Sequence, residues 1–554
     1  MDSDNLSVGI DLGTTTACIA TCRDDVVQII TNIQGDNLTP CFVSFSDTGL
    51  PAGDDAKKQM SQDLSNAPFG AERRIGCRDS KSGIRLYHAG ETKEVVPRDI
   101  LTIILRKLKK DADSFLGTDV TKAVIAVPVY FDDAQRQATK DAGKLAGWEV
   151  LRVINQSTAA AIAYGLEKVA PVERERSIMV LHLGGGILTI SSFLIEEGIF
   201  EMTGTVTDRC IGGDVFTERL VDHFASEFER KFDKDLRGDS TALWRLESAC
   251  EEAKCRLSTE DEIFLEIASL YDGHDFRSSL SQSRFEELNQ DLFASILEHF
   301  ENILSTGRLK KELVEEVVLS GGSTRIPKIR EMVSEFFNNR ALLKFIPPEE
   351  VVAHGAAVQA AILSDDKWID SCNFCCIFNV VPLSLGVETL GGVMATIVGR
   401  HSTMPTRKSE YFTTVADNQT SILLRIHEGQ RIRTRDNRFL GQLELSGIPP
   451  AARGVPRIEV IFEVDPNGVL IVSAFQRSAD LSNMLTVSAE NGNLTSEEIE
   501  RMVLDGEQHQ AEDEAFANAL RTQMAVECME STTQEVAVWS GPTEAALLEI
   551  EEAH

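Results

Sequence analysis

Two glycine-rich turns in this chain have the residue types that bind phosphate. Residues 13–16 and residues 184–186 each follow an apolar, strand-like run. Glycines in such turns allow backbone N–H groups to come close to phosphate oxygens. Asp11, which precedes the first turn, could hold a metal ion through water beside the phosphates. The matching residue before the second turn is His182, which cannot do so in the same way. The sequence therefore raises the question of whether a phosphate site still performs chemistry.

The elements that would position these turns belong to a regular pattern. In residues 1–370 strand-like and helix-like segments alternate, which is typical of an α/β domain with ligands at the carboxyl ends of its strands. Residues 371–381 are predicted to form an interdomain linker. Residues 382–493 contain many short strand patterns and a strong hairpin signal at residues 466–468, so we expect an all-β domain there.

The C-terminal part, residues 494–554, is predicted to be a truncated helical lid and tail. Thr495 and Glu498 form a capping box that opens a polar helix running to about residue 529. Gly506 would interrupt that helix at a cost of about 1 kcal/mol relative to alanine. Beyond it the sequence shows little periodicity, and no element is predicted.

Composition excludes several classes of partner. The 554 residues include 55 Lys plus Arg and 87 Asp plus Glu, a formal net charge of −32. Because the chain has no excess of basic residues, neither nucleic acid nor a membrane is an expected partner. Eleven cysteines, an odd number in so long a chain, are typical of reduced thiols in the cytoplasm, or also in the nucleus. We see neither a signal peptide nor an apolar run long enough to span a membrane.

A third glycine-rich turn, residues 321–325, follows another apolar strand. One such turn alone is usually an ordinary tight turn, but three in this order and spacing are far more specific. Six further segments carry the same resemblance to a known family: residues 127–131, 159–166, 382–389, 391–394, 447–450 and 453–456. Over roughly residues 5–515 the chain thus resembles the heat-shock protein 70 chaperone family. The resemblance implies a multidomain α/β plus all-β fold, with an actin-like ATPase-type nucleotide domain, a β-sandwich peptide-binding domain and a short helical lid remnant.

The resemblance implies binding of ATP or ADP. The residues carried over to the phosphates are Gly13, Thr14, Thr15, Gly184, Gly185 and Gly186, with Gly212 and Gly213 close by. Those carried over to the adenosine are Glu251, Lys254, Ser258, Gly321, Gly322, Ser323 and Arg325. Cys255 stands where the family has an arginine over the adenine, a loss of about 0.5–2 kcal/mol of affinity.

The catalytic positions of the family depart further. Of the acidic set only Asp11 is retained, and the substituted positions are Glu72 for Lys, Gln156 for Glu, His182 for Asp, Ile187 for Thr and Thr189 for Asp. Unless it turns into solvent, Glu72 would repel the γ-phosphate by roughly 4 kcal/mol at about 4 Å and an effective dielectric constant near 20. Single losses of this kind cost about 10²–10³-fold in rate, and they are not additive. We therefore expect a weakened Mg²⁺ site, held by Asp11 through water, and severely impaired hydrolysis, as in a pseudoenzyme.

The peptide-binding half keeps the apolar residues that its function requires. By motif, the pocket for one peptide side chain is lined by Val387, Val393, Phe412, Ile422 and Leu424. Leu390 and Val415 would form an arch over the peptide backbone. About two of the five pocket residues could instead be sandwich core. The implied mode is recognition of an extended strand, with main-chain hydrogen bonds for affinity and one pocket for preference.

Fewer residues match those that couple nucleotide state in the first half of the chain to peptide binding in the second half. Pro128 and Arg136 match residues that relay nucleotide state, and Arg152 and Asn155 match a surface for J-domain co-chaperones. J-domain proteins and nucleotide-exchange factors are thus implied partners, beside unfolded or extended polypeptides. Asn379, however, replaces the aspartate of the family's linker, which weakens the case for coupling.

Two further features have competing interpretations. Cys372, Cys375 and Cys376 lie close together, but zinc takes about four ligands and no second Cys/His pair is suitably spaced. Linker packing is therefore favoured over metal binding. His182 could act as a general base, although a buried, hydrogen-bonded histidine is the favoured interpretation.

Three hypotheses of function follow. The first is a stress-response chaperone that binds extended apolar segments and nucleotide but hydrolyses ATP very poorly. The second is a fully ATP-dependent folding chaperone. The third is a non-chaperone scaffold or decaying paralogue.

Overall fold

The computed structural model describes most of the chain. The described residues are 6–23, 26–44, 50–60, 84–88, 91–131, 133–165, 176–196, 199–306, 309–340, 342–343, 345–364, 376–400, 402–464, 469–476, 479, 481–487, 496–519 and 522. Glu72, the hairpin at residues 466–468 and Thr495 of the predicted capping box lie outside them.

The N-terminal part alternates strands and helices, as predicted. Its strands are β1 Ser7–Leu12, β2 Thr16–Arg23, β3 Val26–Ile29, β4 Leu38–Pro40, β5 Ile84–His88, β6 Glu91–Val95, β7 Lys122–Val127, β8 Glu149–Asn155, β9 Arg176–Leu183, β10 Leu188–Glu196, β11 Ile199–Asp208, β12 Glu262–Tyr271, β13 His274–Ser281, β14 Glu316–Ser320 and β15 Leu342–Leu343. Its helices are α1 Asp54–Met60, α2 Pro97–Leu116, α3 Asp133–Leu145, α4 Gln156–Gly165, α5 Gly213–Phe232, α6 Ser240–Arg256, α7 Gln282–Leu288, α8 Gln290–Thr306, α9 Pro327–Phe336 and α10 Val351–Ser364, with 3-10 turns at Lys311–Leu313 and Gly322–Arg325.

Two sheets carry the phosphate turns. In the first, β1 pairs with β2 antiparallel and with β7 parallel, in the order β3-β2-β1-β7-β8 with β4 beside β2. In the second, β9 pairs with β10 antiparallel and with β14 parallel, in the order β15-β14-β9-β10-β11. Each glycine turn thus joins two antiparallel strands of a hairpin whose first strand also has a parallel neighbour.

Helices α4 and α10 pack closely in the core between these sheets. A Cβ atom added to Gly9 of β1 would lie 1.9 Å from the backbone nitrogen of Ala357, and one on Gly355 of α10 would lie 1.8 Å from the carbonyl oxygen of Ala159. Both distances are far below van der Waals contact. The glycines and alanines here therefore let backbone pack directly on backbone, which sets how near the two hairpins come.

The C-terminal part is a β-sandwich followed by helix. Its strands are β16 Cys376–Val380, β17 Leu385–Thr389, β18 Val393–Val398, β19 Thr403–Met404, β20 Thr406–Phe412, β21 Ser421–Glu428, β22 Arg438–Ser446, β23 Ile458–Val464, β24 Leu470–Gln476 and β25 Leu481–Val487, and its helix is α11 Ser496–Gln508. Two four-stranded sheets, β18-β17-β21-β22 and β20-β23-β24-β25, enclose an apolar core. Alternate residues of β24 are buried, as expected for a strand with one face on a core.

Part of the predicted linker forms a strand. Strand β16 pairs parallel with β11, where Ile199 faces Cys376, and antiparallel with β19, where Asn379 faces Met404. It thereby extends the second sheet of the nucleotide part to the order β15-β14-β9-β10-β11-β16-β19. An apolar pattern alone could not reveal this pairing, because it depends on a free sheet edge formed far away in sequence.

The lid helix packs on the sandwich rather than standing free. Arg431 pairs with Asp505 of α11 and with Asp513, which lies in the following helical residues 510–519. The helix continues through Gly506, so the predicted interruption is absent. A Cβ on Gly506 would lie 2.6 Å from Cβ of Gln430, which shows that the glycine permits the close approach. None of the described helices has the length and apolar character needed to cross a membrane.

Candidate nucleotide-binding site

The glycine turns meet at one cleft of about 340 Å³. The predicted residues that line it are Asp11, Gly13, Thr14, Thr15, Gln156, His182, Gly184, Gly185, Gly186, Ile187, Glu251, Lys254, Ser258, Gly321, Gly322, Ser323 and Arg325. Most of the predicted set therefore comes together from distant parts of the chain. Leu38, Asp214, Ile326 and Glu349 also line the cleft and were not predicted, because nothing in their local sequence marks them.

The two hairpins touch where they carry glycine. A Cβ on Gly185 would lie 1.9 Å from Oγ1 of Thr15 and 3.1 Å from Oδ1 of Asp214. Behind the second turn, the backbone N–H of Gly213 donates to the carbonyl of Gly184 at 2.9 Å, so Gly213 supports the turn without lining the cleft. Gly212 has the same supporting position, since its added Cβ would lie 2.4 Å from the carbonyl oxygen of Gly185. Larger side chains would push the phosphate turns apart.

On the adenosine side, helix α6 presents an ion pair whose lysine is buried. Nζ of Lys254 donates to Oε2 of Glu251 at 2.6 Å, to Oγ1 of Thr217 at 2.9 Å and to the carbonyl of Gly213 at 2.7 Å. Burial opposes ionisation of Glu251, but the charge and hydrogen bonds of Lys254 outweigh it and keep the pKa of Glu251 below its usual value. Lys254 thus connects α6 to the N-terminal end of α5, which carries Gly213 and Thr217.

The family has an arginine over the adenine where this chain has Cys255, which carries no positive charge. Sγ of Cys255 donates to Oε1 of Glu251 at 3.5 Å, and burial, with the charge of Glu251, raises the pKa of this thiol to about 11. The thiol is therefore neutral. Across the cleft, Nε and Nη2 of Arg325 donate to Glu349 at 3.0 and 2.5 Å, which holds the guanidinium in place on the wall.

At the phosphate end, substituted positions bond to protein groups. Nε2 of Gln156 donates to Oδ1 of Asp11 at 2.7 Å, and Nδ1 of His182 lies 3.1 Å from Oγ of Ser320. Burial raises the pKa of Asp11 to about 7 against the opposing hydrogen bond from Gln156, and burial lowers the pKa of His182 to about 4. At neutral pH the imidazole is therefore uncharged, as expected for a buried, hydrogen-bonded histidine.

The other two substituted positions add no carboxylate. Ile187 lines the cleft with an apolar side chain, and Thr189 lies deeper in the sheet, with Oγ1 3.4 Å from Oγ1 of Thr207. Mg²⁺ prefers carboxylate oxygens and ordered water. Of the predicted acidic positions, Asp11 alone carries a carboxylate, and that carboxylate accepts a hydrogen bond from the Gln156 amide.

Comparison with known proteins agrees with these observations. Residues 7–546 match the family described as Hsp70 protein. The chain belongs to the heat-shock protein 70 family. It is 48% identical to the Heat shock 70 kDa protein 2 of Paracoccidioides lutzii over 94% of this chain and 82% of that protein. It is 48% identical to the Heat shock 70 kDa protein of Emericella nidulans, over 94% and 84% respectively. With the Heat shock cognate 70 kDa protein 3 of Dictyostelium discoideum it shares 44% identity over 92% of this chain and 84% of that protein.

Family membership confirms the predicted fold class, an actin-like nucleotide domain with a β-sandwich. A family of this kind binds ATP or ADP with Mg²⁺, and its members act as chaperones.

The residues predicted for peptide binding occupy three environments in the sandwich. Val387 and Leu424 are buried in its core, which is the alternative foreseen for two of the five pocket residues. Phe412, Ile422 and Val393 are half-buried. The predicted arch residues are mostly exposed, Leu390 at 59% and Val415 at 57%. Exposed apolar side chains beside half-buried ones are the surface that an extended apolar peptide requires.

Of the residues matched to coupling, three lie near one another. Arg136 donates to Oδ1 of Asn155 and, through Nε, to the carbonyl of Phe131 at 2.9 Å. Pro128 lines the cleft. Asn155 directly precedes Gln156, which lines the cleft, and Arg152 on the same strand is exposed.

Proposed function

We propose that this heat-shock protein 70 chain is a chaperone that binds extended apolar segments and adenine nucleotide but hydrolyses ATP very poorly. The hydrogen bond from Gln156 to Asp11 is the observation that carries the proposal. Asp11, the retained acid of the family's set, bonds to a neutral amide, so it has less capacity to organise a metal or an attacking water. The glycine turns that hold phosphate through backbone N–H groups are retained.

Phosphoryl transfer depends almost entirely on positioning and on stabilising charge. In this cleft Gln156 and the neutral imidazole of His182 cannot act as the carboxylates that the family has at these positions, and Ile187 supplies no hydroxyl. Loss of one such group costs about 10²–10³-fold. We therefore expect a hydrolysis rate at least about 100-fold below that of a relative with the full set of groups.

Single-turnover hydrolysis of ATP by the full chain tests this proposal. The comparison protein is the Emericella nidulans relative, measured side by side. A rate equal to that of the relative would refute the impaired-hydrolysis proposal. The triple variant Glu72→Lys, Gln156→Glu and His182→Asp should regain part of the rate if the remaining geometry is competent.

Chaperone activity is tested separately by fluorescence anisotropy with a labelled, extended apolar peptide. Micromolar binding supports the chaperone proposal, whereas no binding would favour a non-chaperone scaffold or decaying paralogue. We further propose unfolded polypeptides, J-domain co-chaperones and nucleotide-exchange factors as partners. Cytoplasmic location, with the nucleus as a second site, belongs to the same proposal.

The second candidate, a fully ATP-dependent folding chaperone, is favoured by the identity to relatives named as heat shock 70 kDa proteins. It predicts that saturating ATP accelerates release of the bound peptide. A release rate that is unchanged by ATP would exclude it.

A further inference from the structure

We propose that the nucleotide cleft binds adenine nucleotides independently of Mg²⁺, because neutral groups of the chain occupy the positions that would support a hydrated ion. This inference rests on the proposed nucleotide binding and specifies its ligand: the metal-free nucleotide. It concerns binding alone and makes no use of hydrolysis.

Gln156 contacts Asp11 at the phosphate end of the cleft. A hydrated Mg²⁺ is held through carboxylate oxygens that accept hydrogen bonds from its water molecules. Here Nε2 of Gln156 donates to Oδ1 of Asp11 at 2.7 Å, in a contact that is buried. The amide donor thus takes one of the acceptor sites of the Asp11 carboxylate, and it stands where the family has a second acid.

The ring of His182 has a defined orientation beside the second turn. Its Nδ1 faces Oγ of Ser320 at 3.1 Å, while Nε2 lies on the side of the second turn, 3.5 Å from where a Cβ of Gly184 would stand. When the Ser320 hydroxyl donates to Nδ1, Nε2 carries the proton and offers an N–H toward that turn. In that tautomer a neutral donor stands where the family has a carboxylate, which would repel phosphate unless a metal ion lay between them.

The negative charge of the cleft comes from the carboxylates among its lining residues. The carboxylates among its lining residues are Asp11, Asp214, Glu251 and Glu349. Glu251 pairs with Lys254, and Glu349 pairs with Arg325. Asp11 and Asp214 lie at the phosphate end, without the further acids that the family places there.

Carboxylates that gather around a metal ion repel a nucleotide when the ion is absent, so removing the ion from such a site weakens binding. Here the acids at positions 156, 182 and 189 are replaced together, and the backbone N–H groups of the glycine turns remain. Removal of Mg²⁺ should consequently leave most of the affinity in place.

Calorimetric titration of ADP into the full chain, in excess Mg²⁺ and separately in EDTA, tests the inference. ADP is chosen because no hydrolysis can occur. We expect dissociation constants that agree within about twofold in the two buffers. A dissociation constant that rises about tenfold or more in EDTA would overturn the inference. Absence of ADP binding in both buffers would overturn it as well.

Two double variants assign the effect to the named residues. Gln156→Glu with His182→Asp should introduce Mg²⁺ dependence, seen as at least about tenfold weaker ADP binding in EDTA. Gln34→Glu with Gln290→Glu adds the same two charges at exposed positions and should show the wild-type ratio. If the first pair folds, by its thermal transition, but gains no dependence, the assignment to these residues is wrong.

These outcomes are distinguishable from those of the hydrolysis test. Fast single-turnover hydrolysis refutes impaired catalysis without deciding how ADP binding responds to EDTA. Strong Mg²⁺ dependence of ADP binding refutes the present inference even when hydrolysis is slow.

Discussion

Arg431 and Asp513 form a two-pronged ion pair that joins the sandwich to the lid. Nε of Arg431 donates to Oδ2 of Asp513 at 2.9 Å and Nη2 donates to Oδ1 at 3.1 Å, while Nη1 reaches Asp505 at 2.8 Å. Asp513 also accepts from the backbone N–H of Ile432 at 2.9 Å. The hydrogen bond from Arg431 is the leading reason why the pKa of Asp513 lies below its usual range. This contact holds residues 505–513 against the loop that carries Arg431.

Replacing Arg431 with leucine should therefore release the lid. Removing one partner of a buried pair leaves the other charge buried and costs about 3–5 kcal/mol. We expect faster amide exchange in residues 496–519 and faster release of a bound peptide, measured by hydrogen exchange and by stopped-flow fluorescence. Arg435→Leu is the matched control, because Arg435 lies in the same loop and is exposed. Equal exchange in both variants would contradict the assignment.

The ionisation of Asp11 should make stability fall as pH rises. Its pKa is raised to about 7 in the folded protein, whereas an unfolded aspartate titrates near about 4. Between these values the folded state binds more protons than the unfolded state, so its stability declines as pH rises from about 4 to about 7.

Asp11→Asn should consequently raise the melting temperature more at pH 8 than at pH 5. Thermal scans of both proteins at the two pH values measure this difference. Asp36→Asn, at an exposed position, is the control and should show no such dependence. A gain for Asp11→Asn that is equal at both pH values would show that the buried charge is not its cause.

Gly185→Ala should weaken nucleotide binding without unfolding the protein. The new Cβ would lie 1.9 Å from Oγ1 of Thr15, so the two phosphate turns must separate. We expect the dissociation constant for ADP to rise by about tenfold or more, since each 1.4 kcal/mol is tenfold. Gly238→Ala is the control, because an added Cβ there meets no atom within 4 Å. Calorimetry that finds equal affinities would contradict this contact.

The predicted arch is tested by Leu390→Ser with Val415→Ser. Both side chains are more than half exposed, so we expect little change in the free energy of unfolding. Covering such apolar side chains with a peptide is worth about 1.5–3 kcal/mol each at full burial, so affinity for an apolar peptide should fall by about tenfold or more. Leu423→Ser, at an exposed apolar position on β21, is the control and should leave peptide affinity unchanged. Anisotropy with a labelled peptide measures all three proteins.

Local sequence was sufficient to predict many of the elements. Strands β7, β8, β9 and β14 form where the sequence has short apolar runs, and glycines lie at the carboxyl ends of β9 and β14 as expected. The predictions that differ from the structure depend on partners distant in sequence. Strand β16 exists because β11 and β19 flank it, and α11 continues through Gly506 because the glycine packs against Gln430.

The sequence by itself determined the family, the three glycine turns and the identity of each substituted acid, since these are properties of residue types and their spacing. Only the tertiary structure decided what the substitutions do. The contact of Gln156 with Asp11 joins residues 145 positions apart, and that of His182 with Ser320 joins residues 138 positions apart. Hydrogen bonds and burial depend on which groups folding brings within about 3 Å, and spacing along the chain does not specify that distance.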